Sequence, residues 1–225
     1  MIIAKFAAVV IISYLLGSIP FGVLIGKRIA KVDVREYGSG KIGTTNVLRV
    51  AGKKAAAVVG AFDVLKGALA VMLAGFIFRG EYRVVSGSPL WWLIRTSLVA
   101  AGLAAMAGHN WPVFLKFHGG RGVATFFGGL IALCPVVALF SGEVLIMGAG
   151  LTGFASVGSL AGAVGAYSIL VPLTIMLGFP IEYLAYTLIG TITIIVMHRD
   201  NIVRLISGKE RKLGDKAEKI DSPPP

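Results

Sequence analysis

Residues 6–25 read FAAVVIISYLLGSIPFGVLI, an uncharged apolar run that is long enough for a helix to cross a bilayer. Runs of similar character recur along the chain. Hydrophobic residues make up 56% of the sequence and charged residues only 15%, and the mean hydropathy is +0.83. A soluble domain of this size is not that apolar. The sequence therefore predicts an integral membrane protein.

The type of membrane fold follows from periodicity and from glycine. No alternating strand pattern typical of membrane barrels is visible, and 30 glycines, many within apolar runs, are typical of closely packed helices. Gly17, Ser18 and Pro20 should break the first span, and Cys134 should be a packing residue. We predict an all-α fold of about seven transmembrane helices, at 6–25, 55–78, 90–107, 123–140, 143–154, 156–177 and 181–197. The stretch 143–154 is short for a span, so it is either a full helix that shares residues with its neighbours or a re-entrant segment.

The distribution of basic residues predicts the orientation. Loop 27–54 holds eight Lys and Arg and the tail after the last span holds seven, whereas loop 79–92 holds two. Basic segments stay in the cytoplasm, so we expect the N-terminus outside and the C-terminus inside, which requires an odd number of spans. The net charge of +11 suits anionic lipids and an anionic substrate, and no nucleic-acid motif is visible.

Three polar islands interrupt the apolar sequence, and all are predicted to face the cytoplasm. The first, residues 38–49, reads GSGKIGTTNVLR and combines glycines with short hydrogen-bonding side chains and two cations. That combination suits a phosphate group, although a solvated loop before a helix has the same composition. In the predicted span 55–78, Asp63 and Lys66 lie three residues apart on one helical face. They either form a structural ion pair that supports the site or bind the ligand directly.

The second island, residues 108–125, reads GHNWPVFLKFHGGRGVAT. An anion site would form here if the N–H groups of Gly119, Gly120 and Gly122 are free and point to one spot, with the start of the next helix and Arg121 adding positive charge. The alternative is a tight turn with an anchoring Arg. The third island, HRDNIVRLISGKE at 198–210, places His198 and Asn201 on one helical face, or is an ordinary basic helix end. We expect residues 1–208 to form a single membrane domain. We expect the charged tail, 209–225, to be disordered.

These stretches resemble the bacterial acyl-phosphate-dependent glycerol-3-phosphate acyltransferase family, PlsY. The matching pieces are YLLGSIPFG at 14–22, GSGKIGTTNVLR at 38–49, DVLKG at 63–67 and the second and third islands. The resemblance implies acyl transfer from acyl phosphate to the sn-1 hydroxyl of glycerol 3-phosphate in the bacterial cytoplasmic (inner) membrane, with a cytoplasmic active site, for phospholipid biosynthesis. The products would be lysophosphatidate and inorganic phosphate.

The resemblance also implies which side chains form the site. The implied catalytic residues are Ser39, Arg49, His198 and Asn201. The implied phosphate-binding residues are Gly38, Gly40, Thr45, Asn46, Gly119, Gly120, Arg121, Gly122 and Thr125, with Asp63, Lys66 and Glu210 in support. The chain departs from the family at two positions, because Lys41 and Arg121 stand where Asn and Lys are usual. Arg121 keeps the charge but cannot act as a base, and the role of Lys41 is not assigned by the resemblance.

The implied chemistry requires little beyond positioning and charge. Acyl phosphate is already activated, so cations and N–H groups need only hold two phosphates and stabilise an oxyanion. None of the three histidines is followed by an acid five positions later, so the base is either His198 or a substrate phosphate. The neighbouring Arg199 and Arg204 favour a phosphate-ligand role for His198. No metal-ligand spacing is present, and we expect no metal or cofactor.

Two other classes of membrane protein would also use basic loops. A transporter of phosphorylated metabolites would more typically show an internal repeat with a site at the midplane, and no repeat is visible. A phosphatase or headgroup transferase would carry acidic or Lys-Arg-His signatures that this sequence lacks.

Overall fold

The structure, a computed structural model, describes residues 2–79 and 91–220. Within these residues it contains nine α-helices, two short 3-10 helices at Val34–Glu36 and Val113–Leu115, and no strand. The helices are α1 (Ile2–Gly17), α2 (Phe21–Ile29), α3 (Thr44–Ile77), α4 (Trp91–Asn110), α5 (Val123–Leu133), α6 (Pro135–Thr152), α7 (Ala155–Leu177), α8 (Ile181–Met197) and α9 (Arg199–Ile206). The predicted all-α class is confirmed.

The membrane-spanning capacity of the helices follows from their length and apolar character. Five stretches of the described chain are long and apolar enough to cross a membrane: Ile2–Ile29, Thr44–Ile77, Trp92–Leu115, Pro135–Thr152 and Ala155–Leu177. A sixth exists if α8 and α9, which meet at 59°, count as one broken span. Helix α5, with 11 residues, is too short to cross a bilayer alone. The count of seven spans therefore stays a prediction.

The first two breaks lie where the sequence indicates bends. Helix α1 ends at Gly17 and α2 begins at Phe21, so the predicted break before Pro20 is present. Helix α3 contains a kink at Gly52, where φ is 81°. The kink separates a short first segment, which carries the end of the first polar island, from the long apolar segment predicted at 55–78.

The predicted boundary between 140 and 143 is wrong. Helix α5 ends at Leu133, and Pro135 occupies the start of α6, which then runs without interruption to Thr152. Pro cannot donate the N–H that would continue α5, so the break falls at Cys134. Ser141, whose polarity suggested a break, instead donates to the carbonyl of Val137 at 2.6 Å within the helix.

Close helix packing orients α5. The carbonyl of Val64 on α3 lies directly against the Cα of Gly128, which leaves no room for a side chain there. On its other side, Phe126 stacks on Tyr186 of α8 with 5.3 Å between ring centroids, and the Tyr186 hydroxyl donates to the carbonyl of Phe126 at 2.8 Å. Helix α5 is therefore wedged between α3 and α8, which brings the second island against α3.

The predicted orientation can be tested with single-cysteine reporters in a Cys134→Ser background. Reporters at 41, 118 and 212 should react only with a cytoplasmic reagent, because the basic segments that contain them should stay inside. A reporter at 86, which lies outside the described residues, should react only from the other side. Labelling of 41 and 212 from opposite faces would contradict an odd number of spans.

Candidate active site

A cavity of about 480 Å³ opens between the polar islands and the apolar helices. Its polar lining comes from all three islands, and its apolar lining comes mainly from α3, α5 and α6. The polar lining includes Ser39, Lys41, Thr45, Arg121 and His198, and the apolar lining includes Val64, Phe127, Leu145, Ile146 and Leu213. Such a cavity can hold an anionic group together with a hydrocarbon chain.

Asn46 holds the loop of the first island in place. Its side chain is buried, its Nδ2 donates to the carbonyls of Val34, Tyr37 and Lys41 at 2.8 to 3.1 Å, and its Oδ1 accepts from the N–H of Ser39 at 3.0 Å. All polar atoms of the amide are thus used within the protein. Asn46 lines the cavity, but its amide positions Ser39 and Lys41.

Two glycines allow the backbone of this loop to turn around the Asn46 side chain. Gly38 and Gly40 have φ of 60° and 68°, in the left-handed region that favours glycine. A side chain at Gly38 would also stand 2.5 Å from Asn46 Oδ1. Neither glycine is among the residues that line the cavity.

In the second island, only part of the predicted anion site faces the cavity. Arg121 and Gly122 line it, whereas Gly119, Gly120 and Thr125 do not. The N–H of Gly120 donates to the carbonyl of His109 at 2.9 Å, so the expectation of a free N–H there is wrong. A Cβ on Gly120 would collide with Nε2 of the same histidine, so this glycine permits the GGRG segment to lie against His109.

His109 completes a buried ionic cluster that the sequence analysis did not identify. Lys66 Nζ lies 2.8 Å from Asp63 Oδ1 and 2.8 Å from His109 Nδ1, and these three side chains are at most 3% exposed. The ammonium donates to both partners, and to the carbonyl of Ile19 at 3.4 Å. Asp63 and His109 also line the cavity. The cluster links α3 and α4 to the GGRG segment.

Arg121 lies on the cavity lining near the other cations of the site. Burial first, and then the nearby charges of Arg204 and Arg49, lower the pKa of Arg121 to about 10, against the opposing effect of Glu210. The side chain remains charged at neutral pH. A partly desolvated cation among other cations is prepared to bind an anion strongly.

In the third island, Glu210 is the acceptor that joins several elements. Its Oε1 accepts from Asn201 Nδ2 at 2.6 Å and from the Ser156 hydroxyl at 3.0 Å, and its Oε2 pairs with Arg204 Nε at 2.8 Å. Burial would raise the pKa of Glu210, but the hydrogen bonds from Asn201, Arg204 and Ser156 outweigh it and lower the pKa. Asn201 and Glu210 therefore support the site from outside the cavity lining.

His198 lies one residue past α8 and does line the cavity. Its Nδ1 is 2.8 Å from the carbonyl of Ile194, and a carbonyl can only accept, so Nδ1 carries the hydrogen. The other ring nitrogen, Nε2, is left as the nitrogen that can serve a ligand. Both His198 and Asn201 are buried.

Arg49 is directed to the tail and not to the cavity. Its Nη2 donates to the carbonyls of Arg211 and Lys212, each at 3.0 Å. The tail, expected to be disordered, follows a defined path over residues 209–220. Leu213 N–H donates to the carbonyl of Gly153 at 2.7 Å, and Ile220 N–H donates to the carbonyl of Glu36 at 2.9 Å. These contacts place Leu213 on the cavity lining.

The structure thus divides the predicted site residues into two groups. Those that line the cavity are Ser39, Thr45, Asn46, Asp63, Arg121, Gly122 and His198. Those that do not are Gly38, Gly40, Arg49, Lys66, Gly119, Gly120, Thr125, Asn201 and Glu210. Across residues 2–79 and 91–220, no three His, Cys, Asp or Glu side chains are grouped as metal ligands would be.

Comparison with known proteins identifies the family. The sequence model of the family described as Glycerol-3-phosphate acyltransferase matches residues 7–208. The chain belongs to the glycerol-3-phosphate acyltransferase family. Glycerol-3-phosphate acyltransferase 3 of Dehalococcoides mccartyi (strain CBDB1) is 60% identical to it over 217 residues, 96% of this chain and 100% of that protein.

Solved glycerol-3-phosphate acyltransferase structures share the fold. A crystal structure of PlsY, an integral membrane glycerol 3-phosphate acyltransferase, in its glycerol 3-phosphate form is 36% identical with a TM-score of 0.79, and covers 93% of this chain and 96% of that one. Its lysophosphatidic acid form is 34% identical with a TM-score of 0.77, covering 92% and 94%. The PlsY resemblance predicted from the three islands is confirmed.

The Gly120–His109 contact predicts a strong effect on glycerol-3-phosphate acyltransferase activity. Gly120→Ala should lower activity at least about 10-fold in a folded protein, because the added methyl group displaces the GGRG segment from His109. Arg121→Lys should be far milder, since it keeps the charge. Steady-state kinetics on the purified variants would measure both effects.

Gly150→Ala is the matched control for this substitution. A Cβ at Gly150, within α6, would meet nothing within 4 Å, and the residue does not line the cavity. Its activity should equal that of the wild type. Equal losses in Gly120→Ala and Arg121→Lys would contradict the expectation that charge alone suffices at Arg121, and would show that its planar guanidinium matters as much as the packing of the loop.

Proposed function

We propose that the chain transfers a fatty acyl group from acyl phosphate to the sn-1 hydroxyl of glycerol 3-phosphate, giving lysophosphatidate and inorganic phosphate. Family membership supports the acceptor, because the PlsY structures have glycerol 3-phosphate and lysophosphatidic acid forms. The reaction would contribute to phospholipid biosynthesis.

The observation that carries the proposal is the mixed lining of one cavity. Lys41 and Arg121 supply two positive charges, and Phe127, Leu145 and Ile146 supply apolar surface. An acyl phosphate is an anion joined to a hydrocarbon chain, and glycerol 3-phosphate is a small anion. Two cations and an apolar wall match this pair of substrates.

The proposed reaction is a displacement at the acyl carbonyl. The sn-1 hydroxyl oxygen bonds to the carbonyl carbon, the bond from that carbon to the phosphate oxygen breaks, and inorganic phosphate leaves with its electron pair. Holding both substrates side by side removes most of the entropy cost of bringing them together in the right orientation. This can lower the activation free energy by about 7 to 11 kcal/mol. Cations near the leaving phosphate and the carbonyl oxygen would stabilise the charge that develops there.

The hydroxyl proton needs an acceptor, and His198 supplies a suitable atom. With Nδ1–H donating to Ile194, the lone pair of neutral Nε2 is available. A substrate phosphate oxygen is the other candidate base. In either case Asn201 and Glu210 hold the start of α9 that follows His198.

The predicted orientation supports a cytoplasmic active site in the inner membrane. The cavity is lined by residues of the two most basic segments, which should both remain inside. Glycerol 3-phosphate and acyl phosphate would then reach the site from the cytoplasm and from the inner leaflet.

The proposal is tested with purified protein in detergent and three acyl donors. Lysophosphatidate and phosphate should be released in equal amounts from acyl phosphate, and neither acyl-CoA nor acyl carrier protein should support comparable turnover. Faster transfer from acyl-CoA would overturn the proposed donor. Transfer to the sn-2 position of glycerol 3-phosphate, seen by analysis of the product, would overturn the proposed regiochemistry.

A further inference from the structure

Residues 211–220, called the strap below, begin at one wall of the cavity. The Leu213 N–H donates to the carbonyl of Gly153 at 2.7 Å, in the turn between α6 and α7. Ala149 and Ala155, on either side of Gly153, both line the cavity, and so does Leu213 itself. This end of the strap is therefore attached to the wall that α6 and α7 form.

The other end of the strap pairs with the start of the first polar island. Residues 218–220 run antiparallel to residues 36–38 and exchange two backbone hydrogen bonds with them, each of 2.9 Å. Tyr37 and Lys219 face each other between these hydrogen bonds. Ser39, the next residue of the island, lines the cavity. The strap thus crosses the edge of the cavity from one wall to another.

Arg49 holds the strap between its two ends, but only through neutral groups. Its Nη2 donates to the carbonyls of Arg211 and Lys212, each at 3.0 Å. Its Nε is buried and has no hydrogen-bond partner among the described residues. A guanidinium on carbonyls is held less strongly than one that pairs with a carboxylate. Arg49 is therefore a latch that can be released.

Burial and charge both indicate that the strap opens easily. No residue from 211 to 220 is buried, and residues 212–216 are all exposed. Segments with so few buried contacts open at a low cost in free energy. The strap also carries four cations and two carboxylates, and it borders a cavity lined by Lys41 and Arg121. Repulsion between these cations opposes closure over an empty cavity, and bound anions would favour closure.

We propose that the strap is a lid of the active site, which opens to exchange substrates and product and closes over the bound anions. This inference rests on the proposed function, because an activated acyl donor must be kept from water while it reacts, and a closed lid excludes water. The family sequence model matches residues 7–208, so the strap lies beyond the matched segment.

Hydrogen exchange on the full-length protein in detergent tests closure without turnover. Glycerol 3-phosphate should slow exchange in the strap at least about 10-fold, because closure protects the N–H groups of Leu213 and Ile220. Glycerol at the same concentration is the matched control, since it lacks the charge and should change nothing. Equal exchange rates with glycerol and with glycerol 3-phosphate would overturn the inference.

The latch is tested in the same measurement. Arg49→Gln should speed exchange in the ligand-free strap about 10- to 100-fold, the range for loss of hydrogen bonds from a charged donor. Lys53→Gln, which removes the same charge from an exposed position on the same helix, should leave exchange in the strap unchanged. Equal exchange in Arg49→Gln and the wild type would contradict the latch.

A reversible cross-link tests whether the lid must open. Tyr37 and Lys219 form a non-hydrogen-bonded antiparallel pair, whose Cα atoms are typically about 4.5 Å apart, within the range for a disulfide. In a Cys134→Ser background, Tyr37→Cys/Lys219→Cys should lose turnover at least about 10-fold on oxidation and regain it on reduction. Each single-cysteine variant should keep its turnover in the same oxidant.

Full turnover of the oxidised double variant would show that the strap is a fixed wall, and would overturn the lid. If the wild type transfers no acyl group from any donor, the proposed function fails. The effect of glycerol 3-phosphate on hydrogen exchange then still decides whether the strap closes over an anion.

Discussion

His198→Gln should lower kcat about 10²- to 10⁴-fold, the usual contribution of a general base, while the KM for both substrates changes little. The expectation rests on the hydrogen bond from Nδ1–H to the carbonyl of Ile194, which leaves Nε2 as the unprotonated ring nitrogen of a residue that lines the cavity. Burial first, and then Arg121, lower the pKa of His198 to about 4. The ring is therefore neutral at pH 7, and its Nε2 accepts a hydrogen bond.

A neutral acceptor suits a hydroxyl better than a phosphate, because phosphate oxygens need donors. We therefore propose the base role for His198 in place of the phosphate-ligand role that the neighbouring arginines favour. The ratio of wild-type to variant turnover should stay constant from about pH 8 to about pH 6, and should fall only as the pH approaches the pKa of about 4.

His118→Gln is the matched control, since His118 is exposed and its Nδ1 also contacts a backbone carbonyl, that of Lys116 at 2.7 Å. This variant should keep full turnover. A rise in KM with kcat retained in His198→Gln would contradict the base role and favour a phosphate ligand. In that case the substrate phosphate becomes the remaining candidate for the proton acceptor.

Asp63→Asn should destabilise the protein by about 3 to 5 kcal/mol, the cost of leaving one partner of a buried ion pair without its counter-charge. Lys66 is only 1% exposed and lies 2.8 Å from the carboxylate, so its ammonium cannot reach water when the charge is removed. Lys66→Gln should have a cost of the same order. Thermal unfolding in detergent, followed by loss of helical signal, would measure both.

The double variant Asp63→Asn/Lys66→Gln should recover much of the stability, because no uncompensated charge remains. The matched control is Asp200→Asn, which breaks an exposed pair with Arg199 and should cost less than about 1 kcal/mol. Asp63 also lines the cavity, so the double variant separates two roles. A stable but inactive double variant would contradict a purely structural pair and indicate that Asp63 contacts substrate.

Short-range features were predictable because their geometry depends on local spacing. Apolar runs such as 6–25 are sufficient to predict spanning helices, since backbone groups in lipid must be satisfied within the helix. Residues three apart on a helix meet on one face, so the pair of Asp63 and Lys66 could be identified from sequence. The short span 143–154 was misplaced because a polar serine and a proline compete as signals, and only the proline removes a donor.

The sequence by itself thus determined the helical membrane class, the three polar islands and their chemistry, because hydropathy and residue type do not depend on packing. Only the tertiary structure decided which polar groups remain free for substrate. From the sequence, Asn46 and Arg49 were equally good candidates for phosphate ligands. In the structure, Asn46 bonds to backbone groups of its own loop, and Arg49 donates to carbonyls 162 and 163 residues away. His109 joins Lys66 across 43 residues in the same way. A donor binds the acceptor that packing brings within about 3 Å, and sequence spacing does not contain that distance.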